Sequence, residues 1–304
     1  MTESLHALLN GLIDYAGLFP PAALTMEPTV RNYNAYRHGE QAWFLARLVM
    51  PVARLAEFES AFQQLPPTDA AAGQWRLTAS LGPNIEADVA KIADFNRRCA
   101  QPGNQSAAES AFIESVELRA ANAEEIRRAA SLIPKQLQTY FEIPLSDTLE
   151  SSLTAIAEVG ARAKIRTGGE SPEMFPTCPQ LASFFVLCNG FDVPFKASAG
   201  LHRPVRGPQR YNYKPDSASG IMHGFLNVFL AAAFVRQGMN EEHAAWLLAE
   251  ESPESFAWED DGVAWRDHCI GAKQLAAARR SFCLTVGSCS FAEPVDNLKA
   301  FGLV

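Results

Sequence analysis

The sequence lacks the features that mark several large protein classes. Its 304 residues include only six cysteines, with no C-x-x-C pair and no regular spacing, so neither a zinc knuckle nor a disulfide framework is expected. The longest apolar run, Phe225–Val235, is interrupted by Asn227 and is too short to span a bilayer. The first residues, MTESLHALLNGLIDYAG, have no basic region before an apolar stretch, which is not the pattern of a secretory signal. We therefore expect a cytoplasmic protein with reduced thiols and no membrane association.

Basic residues are also in the minority. The chain has 26 Lys and Arg against 34 Asp and Glu, for a net charge of −8, and this balance disfavours nucleic acids and anionic membranes as partners. The sequence has no G-x-G-x-x-G after its first predicted strand and no G-x-x-x-x-G-K-S/T, so neither a dinucleotide fingerprint nor a P-loop is present. With 48% hydrophobic residues the chain can bury a large core. A protein that acts on small molecules is the simplest interpretation.

Alternating β-type stretches recur along the chain, and each is followed by a helix-type stretch. Eight such pairs without a nucleotide fingerprint are typical of a (β/α)8 TIM barrel, with an open α/β sheet as the alternative. Between the seventh and eighth strands the segment Asn240–Arg280 breaks this rhythm and predicts an insertion with helices and a small hairpin at Trp258–Trp265. We therefore predict one barrel domain over residues 1–304, with an inserted helical and hairpin segment at about 240–280. The predicted strands are Leu12–Phe19, Trp43–Val52, Trp75–Gly82, Ala111–Ala120, Gln138–Pro144, the KIRTGG run, the FKASAG run and Phe282–Phe291.

The sixth and seventh predicted strands each carry a lysine and end in glycine. Because residues two apart in a strand share a face, Lys164 and Arg166 lie on one face of the first, and Lys196 and Ser198 on one face of the second. Two neighbouring strands thus direct charge to one place. A buried lysine beside another cation loses proton affinity and can form a Schiff base with a carbonyl. The alternative is a lysine paired with a glutamate that neutralises a polar layer of the barrel.

Other polar residues near the ends of strands are candidates for proton transfer or metal binding. Glu142 can act as a general acid or base, or it can hold Mg²⁺ or Mn²⁺ together with Glu117; the alternative for both is an ion pair with a lysine. Tyr140, on the same face as Glu142, can donate a proton or simply pack in the core. Asp14 in the first strand is either a base or a turn cap.

Three arginines are candidates for binding the substrate. Arg47, Arg119 and Arg166 have guanidinium groups that match the planar oxygens of carboxylates and the oxygens of phosphates. The pattern predicts that one of them binds substrate while the others balance the glutamates. The expected ligand is accordingly a small anionic metabolite.

Polar groups after the last two barrel strands are further candidates. Ser198 and His202 follow the second lysine, and the basic loop Arg203–Lys214 can close over an anion or be a solvated surface loop. Ser288, in a VGS turn, can offer backbone N–H groups as phosphate sites in barrels do. His202 and His223 lack the H-x-x-x-H spacing of a helical zinc site.

The two lysine motifs resemble a known family. KIRTGG and FKASAGLHRP are similar to the paired lysine strands of class I aldolases, most nearly deoxyribose-phosphate aldolase. There, one strand presents a Schiff-base lysine before a T-S-T-G-like turn, and the next presents a second lysine in a K-A-S-G-G-like turn. The second motif matches at Lys196–Gly200, whereas the family's first lysine falls on Arg166, with Lys164 two residues earlier. The resemblance implies Lys164 as the nucleophile, Glu142 or Tyr140 as the proton carrier, and Lys196 as the group that lowers the pKa of Lys164.

Three hypotheses about function follow. The first is a lyase of the aldolase type that acts on a small anionic carbonyl compound through a lysine Schiff base, without an added cofactor. The second is a lyase or hydrolase assisted by Mg²⁺ or Mn²⁺ at Glu117 and Glu142, with or without His202 as a further ligand, in which the lysines only bind substrate. The third is a non-catalytic barrel that binds a metabolite, or a subunit of an assembly that docks through exposed tryptophans of the insertion; a homo-oligomer is compatible with each. These tryptophans are Trp246, Trp258 and Trp265, and their alternative role is core packing.

Overall fold

The computed structural model describes residues 1–66, 73–99 and 110–304. Eight parallel strands close into a barrel, and five short strands lie outside it between its seventh and eighth strands. The predicted (β/α)8 barrel is confirmed. The barrel strands are β1 (Ile13–Tyr15), β2 (Leu45–Pro51), β3 (Trp75–Ser80), β4 (Ala111–Arg119), β5 (Gln138–Glu142), β6 (Arg162–Arg166), β7 (Phe195–Ser198) and β13 (Cys283–Ser288); those outside are β8 (Gly207–Arg210), β9 (Ser219–Met222), β10 (Phe256–Trp258), β11 (Gly262–Trp265) and β12 (His268–Gly271).

The strand register brings the polar positions of the barrel into one layer. From β1 to β7 each strand pairs with the next in the chain, and β13 closes the barrel between β7 and β1. Lys164 of β6 lies opposite Lys196 of β7 on one side and Glu142 of β5 on the other. Parallel register places the carboxyl ends of all eight strands at the same end of the barrel, where loops between strands and helices build the active sites of this fold.

Helices cover the barrel, and the apolar side chains of the strands pack against them. Phe195 of β7 packs on two phenylalanines of the preceding helix, Phe184 and Phe185, with ring centroids 5.3 and 5.2 Å apart. The next residue, Lys196, therefore points into the barrel, as alternation requires. The helices are α1 (Glu3–Leu9), α2 (Met26–His38), α3 (Leu55–Gln63), α4 (Ile85–Cys99), α5 (Ala123–Leu132), α6 (Leu149–Glu158), α7 (Cys178–Gly190), α8 (Phe225–Arg236), α9 (Glu241–Leu248), α10 (Ala272–Ser281) and α11 (Ala292–Ala300).

The apolar run Phe225–Val235 is almost the whole of α8. Every residue of the run is buried, because α7, α9 and α10 all pack against this helix. Its one polar residue, Asn227, donates to the carbonyls of Leu247 and Glu250, both at 2.9 Å, so its burial is compensated. Over the described part of the chain, no helix has the length and apolar character that crossing a membrane requires.

The segment at 240–280 contains α9, a three-stranded antiparallel sheet and α10. The predicted hairpin is confirmed as β10 and β11, and β12 extends it to three strands. Trp265 is buried, Trp258 is half-buried and packs against the core, and Trp246 is exposed.

One prediction about the chain after β7 was wrong. Arg203–Lys214 was expected to be a loop, but it contains β8, which pairs with β9 further along the chain as an antiparallel hairpin. The signal was weak because β8 reads GPQR, in which glycine and proline are both unfavourable in strands and no apolar residue alternates with a polar one.

Candidate active site

A cavity of about 1080 Å³ opens at the carboxyl ends of the barrel strands. Its floor and walls come from the strand ends and from the turns that follow them. The hairpin of β8 and β9 borders one side through its segment Gln209–Tyr213. Charged and polar residues that line the cavity include Glu117, Glu142, Lys164, Arg166, Ser198 and His202.

The floor of this cavity holds Lys164 between two carboxylates. Its Nζ lies 2.9 Å from Oε1 of Glu117 and 2.9 Å from Oε2 of Glu142. The lysine side chain is 12% exposed, and it faces the cavity. The register explains the geometry, because Glu142 lies opposite Lys164 in the neighbouring strand.

The charges continue below the floor. Nζ of Lys196 lies 2.6 Å from Oδ2 of Asp14 and 3.2 Å from Oε2 of Glu117. Asp14 also accepts hydrogen bonds from Oγ1 of Thr285, at 2.9 Å, and from the backbone N–H of Arg47, at 3.2 Å. Charges therefore alternate across the barrel in the order Asp14, Lys196, Glu117, Lys164 and Glu142, which we call the lysine–carboxylate chain.

The alternation keeps the buried groups charged. Burial opposes the charge on Glu117, but the ammonium groups of Lys164 and Lys196 outweigh it and lower its pKa to about 2. The pKa of Glu142 is lowered in the same way, with burial opposed by Lys164 and by the two neighbouring arginines. For Lys196, burial favours the neutral amine, but Asp14 and Glu117 outweigh it and raise the pKa. Lys196 is thus a permanent cation at neutral pH.

Three predicted site residues do not line the cavity that opens at the carboxyl ends of the strands. Lys196 is only 1% exposed, and its Nζ lies 5.1 Å from the ring centroid of Tyr140. Tyr140 and Arg47 face a second cavity, of about 840 Å³, at the opposite end of the barrel. Burial raises the pKa of Tyr140. Arg47 is tied to Asp14 and to Glu114, so it balances carboxylates at the amino-terminal end.

Two of the predicted arginines lie on the wall of the cavity beside Glu142. Nε of Arg119 is 3.3 Å, and Nε of Arg166 is 3.6 Å, from Oε1 of that carboxylate. Their side chains are 79% and 36% exposed, so both guanidinium groups keep donors free for another anion. Arg210 of β8 also lines the cavity.

The turns after β6 and β7 contact each other tightly, which explains their glycines. Oγ1 of Thr167 lies 2.6 Å from the carbonyl oxygen of Ala199, to which it donates. A Cβ atom on Gly168 would lie 2.8 Å from Cα of Gly200, and Gly200 has a φ of +74° that favours glycine. The T-G-G and A-S-A-G sequences therefore fit two backbones against one another at the cavity edge.

The remaining predicted residues differ in their surroundings. His202 lines the cavity, and its Nδ1 lies 2.8 Å from Oε2 of Glu293. Arg203 donates to the carbonyl of Pro208, and Oγ of Ser288 donates to the carbonyl of Ser290 at 2.7 Å. Both of these residues make contacts that shape loops.

The structure also adds groups that the sequence did not single out. Thr285 supports Asp14, and Glu114 binds both Arg47 and Arg76. In β4 the register shifts between the partners of Leu77 and Thr78, so a bulge at Glu114 changes the alternation there. Simple alternation along the strand could not reveal this.

The space between Glu117 and Glu142, the two carboxylates of the metal hypothesis, holds a lysine side chain. Lys164 lies between Glu117 and Glu142 at hydrogen-bond distance from both, in the space that a divalent cation would need. Within the described ranges, no three His, Cys, Asp or Glu side chains are grouped so as to hold a metal ion. The residues present therefore do not fit a Mg²⁺ or Mn²⁺ centre.

Together, the fold and the site define a (β/α)8 barrel with a polar cavity at its carboxyl ends, a class whose members are commonly enzymes. A scan against protein-family models found none that matches the chain. A search of curated proteins likewise found no match. The inference of function therefore rests on the geometry of the site.

Proposed function

We propose that the protein is a lyase of the aldolase type, which makes or breaks a C–C bond next to the carbonyl of a small anionic compound through a Schiff base on Lys164. One observation carries the proposal: Lys164 reaches the cavity floor, whereas Lys196 is buried beneath it. A nucleophile must meet its substrate, and Lys164 has this access.

One of the two neighbouring carboxylates carries out the proton transfers. To attack a carbonyl carbon, the Lys164 ammonium must lose one proton, and Glu142, which borders the cavity 2.9 Å away, is the acceptor. The amine adds to the carbonyl carbon, and one of its two remaining protons moves to the oxygen to give a carbinolamine. Glu142 then returns its proton to the new hydroxyl group, which leaves as water, and an iminium ion remains. The iminium takes up the electron pair of the breaking C–C bond. Glu117 stays a carboxylate throughout, because two lysines hold its charge.

Lys196 supports this chemistry through Glu117. Its ammonium binds Oε2 of the carboxylate whose Oε1 binds Lys164. It therefore neutralises part of the negative charge that would otherwise hold the proton on Lys164. We assign Lys196 as a positioning residue, since it does not touch the cavity.

Charge on the cavity wall favours an anionic substrate. Arg119 and Arg166 flank Glu142 with donors to spare, and Arg210 adds a third guanidinium group. Guanidinium groups bind carboxylates and phosphates in two-pronged geometry. A cavity of about 1080 Å³ accommodates a small metabolite.

The test is borohydride trapping. The protein is incubated with a panel of small aldehydes, 2-oxo acids and sugar phosphates, reduced, and digested for peptide mass spectrometry. We expect an adduct on Lys164 that is lost in Lys164→Met and kept in Lys135→Met, a matched change at an exposed lysine. Adducts in Lys164→Met at the same level as in the unchanged protein would contradict the proposal. So would the absence of any Lys164 adduct across the panel, in protein shown by circular dichroism to be folded.

A further inference from the structure

A second group of reactive side chains lines the same cavity, away from the lysine–carboxylate chain. Sγ of Cys289 lies 4.0 Å from Nε2 of His202, and Nδ1 of that ring lies 2.8 Å from Oε2 of Glu293. All three residues line the cavity. We call Cys289, His202 and Glu293 the thiol triad.

Barrel closure brings the triad together. His202 comes four residues after β7, and Cys289 directly follows β13, which pairs with β7. Glu293 is in the first turn of α11. The side-chain amide of Asn297, one turn further along α11, donates to the carbonyl of His202 at 3.1 Å and so ties the helix to the histidine loop.

The carboxylate of the triad is held in place. Gln209 Nε2 donates to Oε1 of Glu293 at 3.0 Å, and the hydroxyl of Tyr213 donates to Oε2 at 2.9 Å. Because Glu293 is fixed and accepts the Nδ1–H of His202, the other ring nitrogen faces the sulfur of Cys289. A nucleophile, a base and a group that orients the base are the three parts of an activated nucleophile.

We propose that Cys289 is a second nucleophile of this cavity, with His202 as its acid and base and Glu293 as a positioning residue, and that it adds to the carbonyl of a small anionic aldehyde. The carbonyl class of the ligand rests on the proposed function, but the reactivity of the thiol does not require Lys164.

The charge state of His202 supports this assignment. Burial alone would lower its pKa, but the contacts with Cys289 and Glu293 outweigh burial and raise the pKa to about 10. The ring is therefore an imidazolium at neutral pH, and its positive charge lies beside Sγ of Cys289, in the kind of surroundings where cysteines are reactive. Tyr213 also faces the pair, with its oxygen 3.7 Å from Sγ.

The step balances without a further reactant. Sγ of the thiolate forms a bond to the aldehyde carbon, and the π electrons of the C=O bond move to oxygen. His202 donates its Nε2 proton to that oxygen. The products are a neutral thiohemiacetal on Cys289 and a neutral imidazole, and the reverse sequence releases the aldehyde.

Alkylation by iodoacetamide tests the reactivity of the thiol. Rates at Cys289 and at exposed Cys269 are measured in one sample by peptide mass spectrometry, at pH 6.5 and pH 9. For each cysteine, the ratio of its rate at pH 9 to its rate at pH 6.5 does not depend on how accessible that cysteine is. An ordinary thiol should speed up by more than about twentyfold over this range, because its thiolate fraction rises. We expect less than about a threefold increase at Cys289, and an ordinary increase at Cys289 in His202→Gln.

Several outcomes would overturn the assignment. These are an ordinary pH profile at Cys289, no alkylation of Cys289 at any pH, or an unchanged flat profile in His202→Gln. Should His202→Gln fail to fold, Glu293→Gln provides the second test, with the same steepening of the profile expected. The profile should stay flat in Lys164→Met, so failure of the Schiff-base proposal leaves this result intact.

Protection by glyoxylate tests the adduct in Lys164→Met, where no Schiff base on that lysine can form. Millimolar glyoxylate should slow alkylation of Cys289 at least threefold, and glycolate, which carries the same charge but no aldehyde, should not. Equal protection by both anions, or protection by neither, would refute addition to the carbonyl.

Discussion

Lys164 and Lys196 bind opposite oxygens of one carboxylate. Nζ of Lys164 lies 2.9 Å from Oε1 of Glu117, and Nζ of Lys196 lies 3.2 Å from Oε2, while the two lysines are register partners in adjacent strands. The two cations differ in access, since one borders the cavity and the other is buried under it. The arrangement separates a lysine that can react from a lysine that holds the charge balance of the barrel.

Replacing the buried lysine should cost much of the stability. Lys196→Met removes the nearest cation from buried Asp14 and one of the two cations beside Glu117, and breaking a buried pair in this way costs about 3–5 kcal/mol. Lys135→Met, at an exposed position, should change the free energy of unfolding by less than about 0.5 kcal/mol. Urea denaturation of both variants measures the difference. Equal stability of the two variants would show that the lysine–carboxylate chain does not support the fold.

The shared carboxylate should make stability depend on pH in acid. Its pKa is lowered to about 2 from an ordinary 4.5, so Glu117 contributes stability that is full above pH 4.5 and lost as pH falls towards 2. Glu117→Gln removes this contribution. The difference in unfolding free energy between the unchanged protein and Glu117→Gln should therefore shrink by about 1 kcal/mol between pH 6 and pH 3.5. A difference that stays constant, or grows, in urea titrations at these two pH values would contradict the assigned charge state.

The tight contact between the turns after β6 and β7 predicts that alanine substitution costs more stability at Gly200 than at Gly190. In Gly200→Ala the new Cβ would lie 2.9 Å from Cα of Gly168, at a residue whose φ of +74° already disfavours a side chain. We expect a loss of about 1–3 kcal/mol. Gly190→Ala is the matched control, because its Cβ would meet no atom within 4 Å and it ends α7. Thermal unfolding compares the two, and equal midpoints would argue against a tight contact between the turns.

The barrel could be predicted from the sequence because strands with alternating apolar and polar residues, and glycines that end the helices between them, recur regularly along the chain. Strand ends were harder to place. The first strand was predicted as Leu12–Phe19, yet β1 spans only Ile13–Tyr15. After Tyr15 the chain turns, and the hydroxyl of Tyr15 comes so close to Gly17 that a Cβ there would lie 2.3 Å from it. An apolar run continues through this turn, so hydrophobicity alone did not mark the end of the strand.

The sequence indicated which side chains point into the barrel better than it indicated the end of the barrel at which each one lies. Alternation correctly put Tyr140 and Glu142 on one face of β5, but two residues along a strand span roughly 6.6 Å. Tyr140 consequently faces the cavity at the amino-terminal ends of the strands, whereas Glu142 faces the cavity at the carboxyl ends. Cys289 and His202 are 87 residues apart in the chain and meet only because β13 closes the barrel beside β7. The position of Cys289 directly after the last strand was the one signal available.

The raised pKa of His202 should make stability depend on pH with a sign opposite to that expected for Glu117. Its folded pKa is about 10 against an ordinary 6.5, so its contribution to stability is full below pH 6.5 and is lost as pH rises through 10. His202→Gln removes the charged ring while Glu293 keeps its bonds from Gln209 and Tyr213. The stability difference between the unchanged protein and His202→Gln should therefore be largest near pH 6 and at least halved at pH 9.5. Urea denaturation at the two pH values measures this difference. His38→Gln, at an exposed histidine at the end of α2, is the control. A difference for His202→Gln that grows with pH would mean that the ring is neutral in the folded protein, and it would remove the imidazolium on which the reactivity of Cys289 depends.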